Sequence, residues 1–286
     1  MNVFMSWFLL ALLVSCYAQF VEPRWFQIRR TQVKSFKKIS KPFTILHLSD
    51  THFAKNNSTK EKFFRKLSET IEPDFIFVTG DIIDCDDGIE PAAQILGNLK
   101  AKIGKFAVFG NHDYCDYHFF DNFKYHLRGN KLSGRPNNIQ WFRKRLEDHG
   151  VHVLVNENKS VTVNGTHFVI AGTDDPVTQT VDFEKTLRGV GRGSINILLT
   201  HVIDSILKIP NSVVDLALAG HTHGGQFRIP WVGGFVYGFK LPRKYLEGVH
   251  AYHHIVTSVS RGLGASRTLT PRLFCRPEAI LLEVSG

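Results

Sequence analysis

Asp50 and His52 follow the apolar run 43–49, Asp81 and Asp84 the run 74–79, Asn111 and His112 the run 105–109, His201 the run 196–200, and His221 and His223 the run 213–219. Taken singly, an Asp or His at such a point is an ordinary loop residue satisfied by its neighbours. Five run ends delivering the same kinds of donor call for another account. Carboxylate, imidazole and amide groups together suit a borderline divalent ion such as Mn, Fe or Zn, whereas an all-oxygen set suits Mg or Ca. The donors suffice for two ions sharing a bridge, an arrangement that clamps a phosphoryl group and activates water.

These donors converge only if the runs are strands of one α/β architecture. Each run is short, apolar and bounded by turn residues, which reads as a buried strand, and 166–171 reads the same way. Helices are expected over 60–71, where Phe63, Phe64, Leu67 and Ile71 share a face, and over 90–103. Strand and helix alternating from 43 to 109 make two βαβ units, and ligands of such sheets bind beyond the carboxyl ends of the strands. The stretch 151–169 predicts a second sheet. No repeat or low-complexity tract divides the chain, so one domain is expected over 43–286, with an aromatic and basic insertion near 114–150.

The blocks Asp50-Thr51-His52, Gly80-Asp81-Ile82-Ile83-Asp84, Gly110-Asn111-His112-Asp113, the isolated His201 and Gly220-His221-Thr222-His223 occur in this order and resemble the motif series of the calcineurin-like metallophosphoesterases. The resemblance implies a four-layer αββα sandwich around a two-metal site, with manganese the expected ion and iron or zinc the alternatives. It implies Asp50, His52 and His223 on one metal, Asn111, His201 and His221 on the other, and Asp81 bridging. His112 is then the group that protonates or stabilises the leaving oxygen, with Asp84 orienting it. Gly80, Gly110 and Gly220 are expected to supply sharp turns at the ligands. A metal-stabilised scaffold without turnover is the alternative from another class, and the presence of His112 and Asp84 argues against it.

Two departures narrow the subclass. Asp84 is followed by Cys85-Asp86 where the serine/threonine phosphatases have Arg-Gly, and the tyrosine of purple acid phosphatases is absent. The extended block Gly220 to Gln226, with Ser260-Arg261-Gly262 and Arg272 to Glu278 downstream, is similar to the membrane-associated bacterial phosphodiesterase branch, which includes the UDP-2,3-diacylglucosamine pyrophosphatases. Arg261 is a candidate phosphate contact; pairing with an acid is its plain alternative.

Residues 1–21 contain no charged side chain and are mostly apolar, close to the length of a bilayer-spanning helix. Residues 22–42 hold seven Lys or Arg against Glu22 alone, and read as a basic juxtamembrane linker meeting anionic inner-leaflet lipids. No basic residue precedes the apolar run, so an uncleaved anchor is expected, in a bacterial inner membrane with the body in the cytoplasm. The lipobox-like Leu13-Val14-Ser15-Cys16 leaves an exported lipoprotein as the alternative, with a broad phosphodiesterase acting on envelope material. Most of the +9 net charge lies in that one segment, so no basic track for nucleic acid is expected on the body. The four cysteines read as reduced thiols, with Cys85 and Cys115 following the motif blocks. Aromatics mixed with cations at 114–142 (Tyr114 through Phe142) and 229–239 suggest loops adapted to a membrane lipid substrate, or a local aromatic core.

Overall fold

The apolar runs form strands because both of their faces are covered; residues 75–79 and 195–199 are buried along their whole length. The computed structural model describes residues 3–286 except 38, 40, 56, 118–133, 210–212, 235, 237 and 266–270. It begins with α1 (Val3–Cys16), which continues through a π-helical turn, Tyr17–Val21, and a 3-10 turn, Glu22–Arg24. The first sheet holds β1 (Gln27–Lys34), β2 (Phe43–Leu48), β3 (Phe75–Thr79), β4 (Gly104–Val108), β5 (Val151–Val153) and, from the end of the chain, β12 (Glu278–Ser285), in the order β1-β12-β2-β3-β4-β5. The second holds β6 (Glu157–Val163), β7 (Thr166–Gly172), β8 (Ile195–Leu199), β9 (Leu216–Ala219), β10 (Gly248–Tyr252) and β11 (Ile255–Val259), in the order β10-β11-β9-β8-β7-β6.

Alternate side chains of the two sheets meet in the middle layer: Phe43, Ile45, Phe75, Phe77 and Val108 from the first, Phe168, Ile170, Ile197, Leu199 and Leu218 from the second. The outer face of the first sheet, with Leu46, Leu48, Ile76 and Val78, packs on α2 (Ser58–Thr70) and α3 (Ile89–Asn98), whose Phe64, Leu67, Ala92, Ala93 and Leu96 are buried. The outer face of the second has a thinner cover, chiefly the 3-10 segments Ile203–Lys208 and Arg243–Leu246. The architecture is the expected α/β sandwich, with its fourth layer made of short turns. In both sheets the strands that lead to the motif residues run parallel, so their carboxyl ends share one rim.

Three expectations change. The 22–42 stretch is not a free linker, since β1 pairs in parallel with β12 over its full length. Val33 enters the middle layer and Ile28 packs on the outer core, while Arg29 and Arg30 face Glu278 and Glu283 of β12 at 3.8 Å each and Lys37 reaches Asp215 at 2.8 Å. Positive charge along this segment answers acids of the fold and marks a protected sheet edge. The helix expected over 90–103 stops at Asn98, where Leu99 turns extended to lead into β4. The 114–150 insertion is in part scaffold: Asn111–Tyr114 is a helical turn, α4, and Ile139–Asp148 is a helix, α5, whose Phe142 and Leu146 lie in the core while Trp141 is exposed. Tyr117 is buried; Phe119, Phe120, Phe123 and Tyr125, like Phe235 and Tyr237 of the later loop, lie outside the described residues.

Candidate metal centre

Five of the seven donors sit in a backbone conformation that an ordinary residue resists. Asp50, His52, Asp81, His221 and His223 all hold positive φ, between 45° and 68°, a region costly for residues with a Cβ. Five strained residues on one rim mark a site whose geometry the surrounding fold imposes. The glycines act differently from the expectation. Gly80 does turn with φ 83, but Gly110 and Gly220 do not; they are small because a Cβ on Gly110 would strike Asp81, and on Gly220 would strike Ser49 and Asp50. Close approach of a neighbouring ligand loop, rather than a turn, requires glycine there.

The side chains gather as two overlapping groups. Asp50, His52, Asp81 and His223 each place a donor atom within 4.8 Å of the others, and Asp81, His201 and His221 do the same. Asp81 Oδ2 lies 3.3 Å from His201 Nε2 and 3.9 Å from His52 Nε2, which puts the expected bridging carboxylate between the groups. Asp50 Oδ1 is 3.7 Å from His223 Nε2, and His221 Nδ1 is 3.1 Å from His201 Nε2. Two buried atoms of the donor set lack any hydrogen-bond partner, His52 Nε2 and Asn111 Oδ1. Orphaned buried donors facing a carboxylate cluster fit divalent ions, because burial without a partner costs free energy that coordination removes. The ring orientations agree: His201 Nδ1 donates to the Thr79 carbonyl at 2.9 Å and His52 Nδ1 to Asp84 Oδ1 at 2.8 Å, leaving each Nε2 as a ligand.

The electrostatics separate these rings. Burial disfavours charge on His52, but Asp84 together with Asp81 and Asp50 outweighs it and raises its pKa. For His201, burial is likewise overcome by Asp81, well above the ordinary histidine value. His221 falls to about 3 through burial and the neighbouring His201, and His223 falls well below the ordinary value through burial, His52 and Arg272. Asp81 is held well below the usual carboxylate range, burial being outweighed by His201 and His112.

Asp84 stands beside two rings, the expected His112 and, more closely, His52. Its 2.8 Å bond goes to His52, and His112 Nδ1 stands 3.6 Å away, beyond a hydrogen bond. His112 is instead placed by its backbone, whose N–H donates to Asp81 Oδ1 at 2.8 Å, and its ring keeps partial access to solvent. Arg261 is engaged by Glu247, with Glu278 at 4.0 Å, so the phosphate contact expected of it has no support; the acid pairing does. All four cysteines are free thiols.

Several supports escaped the sequence. Asp113 accepts from the N–H groups of Ile82, Ile83 and Gly110 at 2.8 to 2.9 Å, tying two ligand loops together; burial and the nearby Asp81 push its pKa up to about 8. Its place within Gly-Asn-His-Asp was the available signal. His47, on β2, joins the sheets through Ser258 at 3.2 Å and Thr79 at 3.0 Å. Lys60 caps the carbonyls of Thr51 and His52 at 2.6 and 2.5 Å. Arg272, fully buried, sets Nη2 3.2 Å from His223 Nδ1.

A family model described as calcineurin-like phosphoesterase matches residues 43–225. The Bacillus subtilis uncharacterized metallophosphoesterase YkuE is 29% identical, across 94% of this chain and 89% of that protein. Phosphodiesterase YaeI of Escherichia coli is 29% identical, across 94% and 92%, and UDP-2,3-diacylglucosamine pyrophosphatase LpxG of Chlamydia trachomatis is 27% identical, across 93% and 91%. The matched segment contains every strand end that brings a donor to the rim, from Asp50 to His223, and the chain belongs to the calcineurin-like phosphoesterase family as a metal-dependent hydrolase of phosphoric esters or anhydrides.

Proposed function

We propose that this hydrolase is held at a membrane by its N-terminal helix and cleaves a phosphodiester or pyrophosphate bond in a lipid precursor, specifically UDP-2,3-diacylglucosamine, to lipid 1-phosphate and UMP. The observation that carries the reading is the seat of the helix. Val3–Arg24 is long and apolar enough to cross a bilayer and only 6% of its apolar window is buried in the fold. Its last turns, in contrast, are fixed: Arg272 N–H donates to the Ala18 carbonyl at 2.9 Å, and buried Glu22 accepts from the backbone of Phe274 at 3.0 Å and from that of Cys275. The same Arg272 touches His223, so the anchor and the metal centre are joined through one residue. An enzyme tethered this way meets a membrane substrate at high effective concentration. The activities carried in the names of YaeI and LpxG are consistent with this chemistry.

Manganese is the proposed ion, held by Asp50, His52 and His223 on one side, by Asn111, His201 and His221 on the other, and by Asp81 between. Two such ions, when bound, supply Lewis acidity toward the phosphoryl oxygens and lower the pKa of water. Asp84 and the Thr79 carbonyl keep the His52 and His201 rings turned for binding. His112, anchored through its backbone to Asp81, hands a proton to the departing oxygen. The basic residues after the span support a body in the cytoplasm, the side expected for a UDP-linked substrate.

The test is Mn-dependent hydrolysis of UDP-2,3-diacylglucosamine by the full chain in detergent, beside a water-soluble chromogenic phosphodiester. Turnover of the lipid far above that of the soluble ester supports the reading. Turnover of the soluble ester alone would replace it with a broad phosphodiesterase.

A further inference from the structure

We propose that a basic cavity at the root of the N-terminal helix binds the phosphate-bearing headgroup of an anionic phospholipid, with the apolar loop at its rim lying in the bilayer surface. The proposal rests on the membrane reading above and is independent of which phosphoester is hydrolysed. The cavity encloses about 680 Å³ and no member of the metal clusters lines it. Arg29, Arg228, Arg243, Lys244 and Arg261 line it, and Glu247 is the acid among its lining residues. Glu247 lies 2.6 Å from Arg228 and contacts Arg261, and Glu278, behind the lining, is 3.8 Å from Arg29 and 4.0 Å from Arg261, so two carboxylates stand against five cations and the cavity keeps a positive surplus. A surplus of guanidinium and ammonium groups in a concave site suits phosphate oxygens.

The rim says where that phosphate comes from. Trp231 is wholly exposed, and Ile229, Val232 and Phe274 are 55, 48 and 57% exposed. Trp231 also holds φ 64, a conformation a bulky side chain avoids, so its ring is kept in the open at a conformational cost. Water gives no return for that arrangement, whereas the headgroup region of a bilayer favours indole and apolar side chains beside cations. The rim also sits where the bilayer must be. Phe274 bonds Glu22 at the end of the apolar helix, Arg228 N–H donates to the Leu273 carbonyl at 2.9 Å, and the Arg276 guanidinium stacks 4.1 Å from the ring centre of Trp25, itself exposed. Exposed Phe20 and Val21 continue the apolar surface into the helix. An aromatic and cationic mouth fixed at the foot of a spanning helix matches a lipid headgroup with its acyl chains pointing back into the membrane.

The full chain in neutral detergent is titrated with dioctanoyl phosphatidylglycerol, dioctanoyl phosphatidylcholine and inorganic phosphate. The readout is Trp231 emission, isolated by subtracting the Trp231→Phe variant. A saturable blue shift with phosphatidylglycerol, absent with phosphatidylcholine, is expected. Combined Arg243→Ala and Lys244→Ala, both exposed, weakens it roughly thirtyfold. If that double variant melts early, Lys244→Gln alone gives the same test at about a fivefold weakening. An equal response to phosphatidylcholine, saturation by inorganic phosphate at the same concentration, or no response to any of the three overturns the proposal. Because the signal is binding, a wild-type chain that fails to hydrolyse the UDP-lipid still answers it, and the two readings fail separately.

Discussion

The four histidines of the metal centre divide into two pairs that differ in what stands behind them. His52 and His201 each face Asp81 and are each pinned through Nδ1, by Asp84 and by the Thr79 carbonyl. His221 and His223 lie near Asp50 but also have cationic neighbours, His201 beside one and Arg272 beside the other. Identical side chains on one rim are therefore pushed in opposite directions, the first pair toward the charged form and the second toward the neutral form. The difference shows that the acids organise one part of the site, while the second pair is kept ready to ligate by burial and by neighbouring cations.

The largest test of this contrast is Asp81→Asn, since Asp81 belongs to both groups of donors. Loss of both ions and a fall in turnover on the order of 10⁴-fold are expected, read by metal analysis and steady-state kinetics; retention of two ions would remove its bridging role. His112→Ala comes next, lowering kcat about 10²-fold with metal content intact. Reduced metal content there would make His112 a ligand support rather than a proton donor. Asp84→Asn separates the two assignments of that carboxylate: bonded to His52, it should weaken metal affinity about 10- to 100-fold, whereas unchanged affinity with a low kcat would return Asp84 to His112.

The smallest effect concerns protons. In the ion-free protein the raised pKa values of His52 and His201 stabilise the fold below the ordinary histidine value, and that contribution is lost as pH rises through the raised values. An ion must displace whatever protons those rings hold, so binding should release protons, and affinity should fall as pH drops. Calorimetric titration with manganese in buffers of different protonation heat counts them. Release of more than two would mean that His221 or His223 is charged too, and that the contrast between the pairs is false.

Much of the site was legible before the fold because each ligand sits at a strand end beside a small residue, and both features are local. Asp84 was assigned to His112 because neighbouring motif blocks invite that pairing, while the ring that it meets is decided by how β2 and β3 stack side by side. β1 was hidden by its charge: Gln27 to Lys34 is an alternating basic stretch whose partner acids, Glu278 and Glu283, lie some 250 residues away in sequence. For Arg261 the sequence left a phosphate contact and an acid pairing both open, and the pairing of β10 with β11, which brings Glu247 to it, decided for the acid.

The sequence by itself determined the donor types, their order along the chain, the parallel strands that carry them and the apolar N-terminal helix, because composition and short-range periodicity encode these directly. Tertiary structure alone decided which carboxylate backs which imidazole, which arginine is already paired, and that the end of the N-terminal helix is bonded to the loop beside His223. Those outcomes depend on distances between segments far apart in the chain, and a few tenths of an ångström separate a hydrogen bond from none.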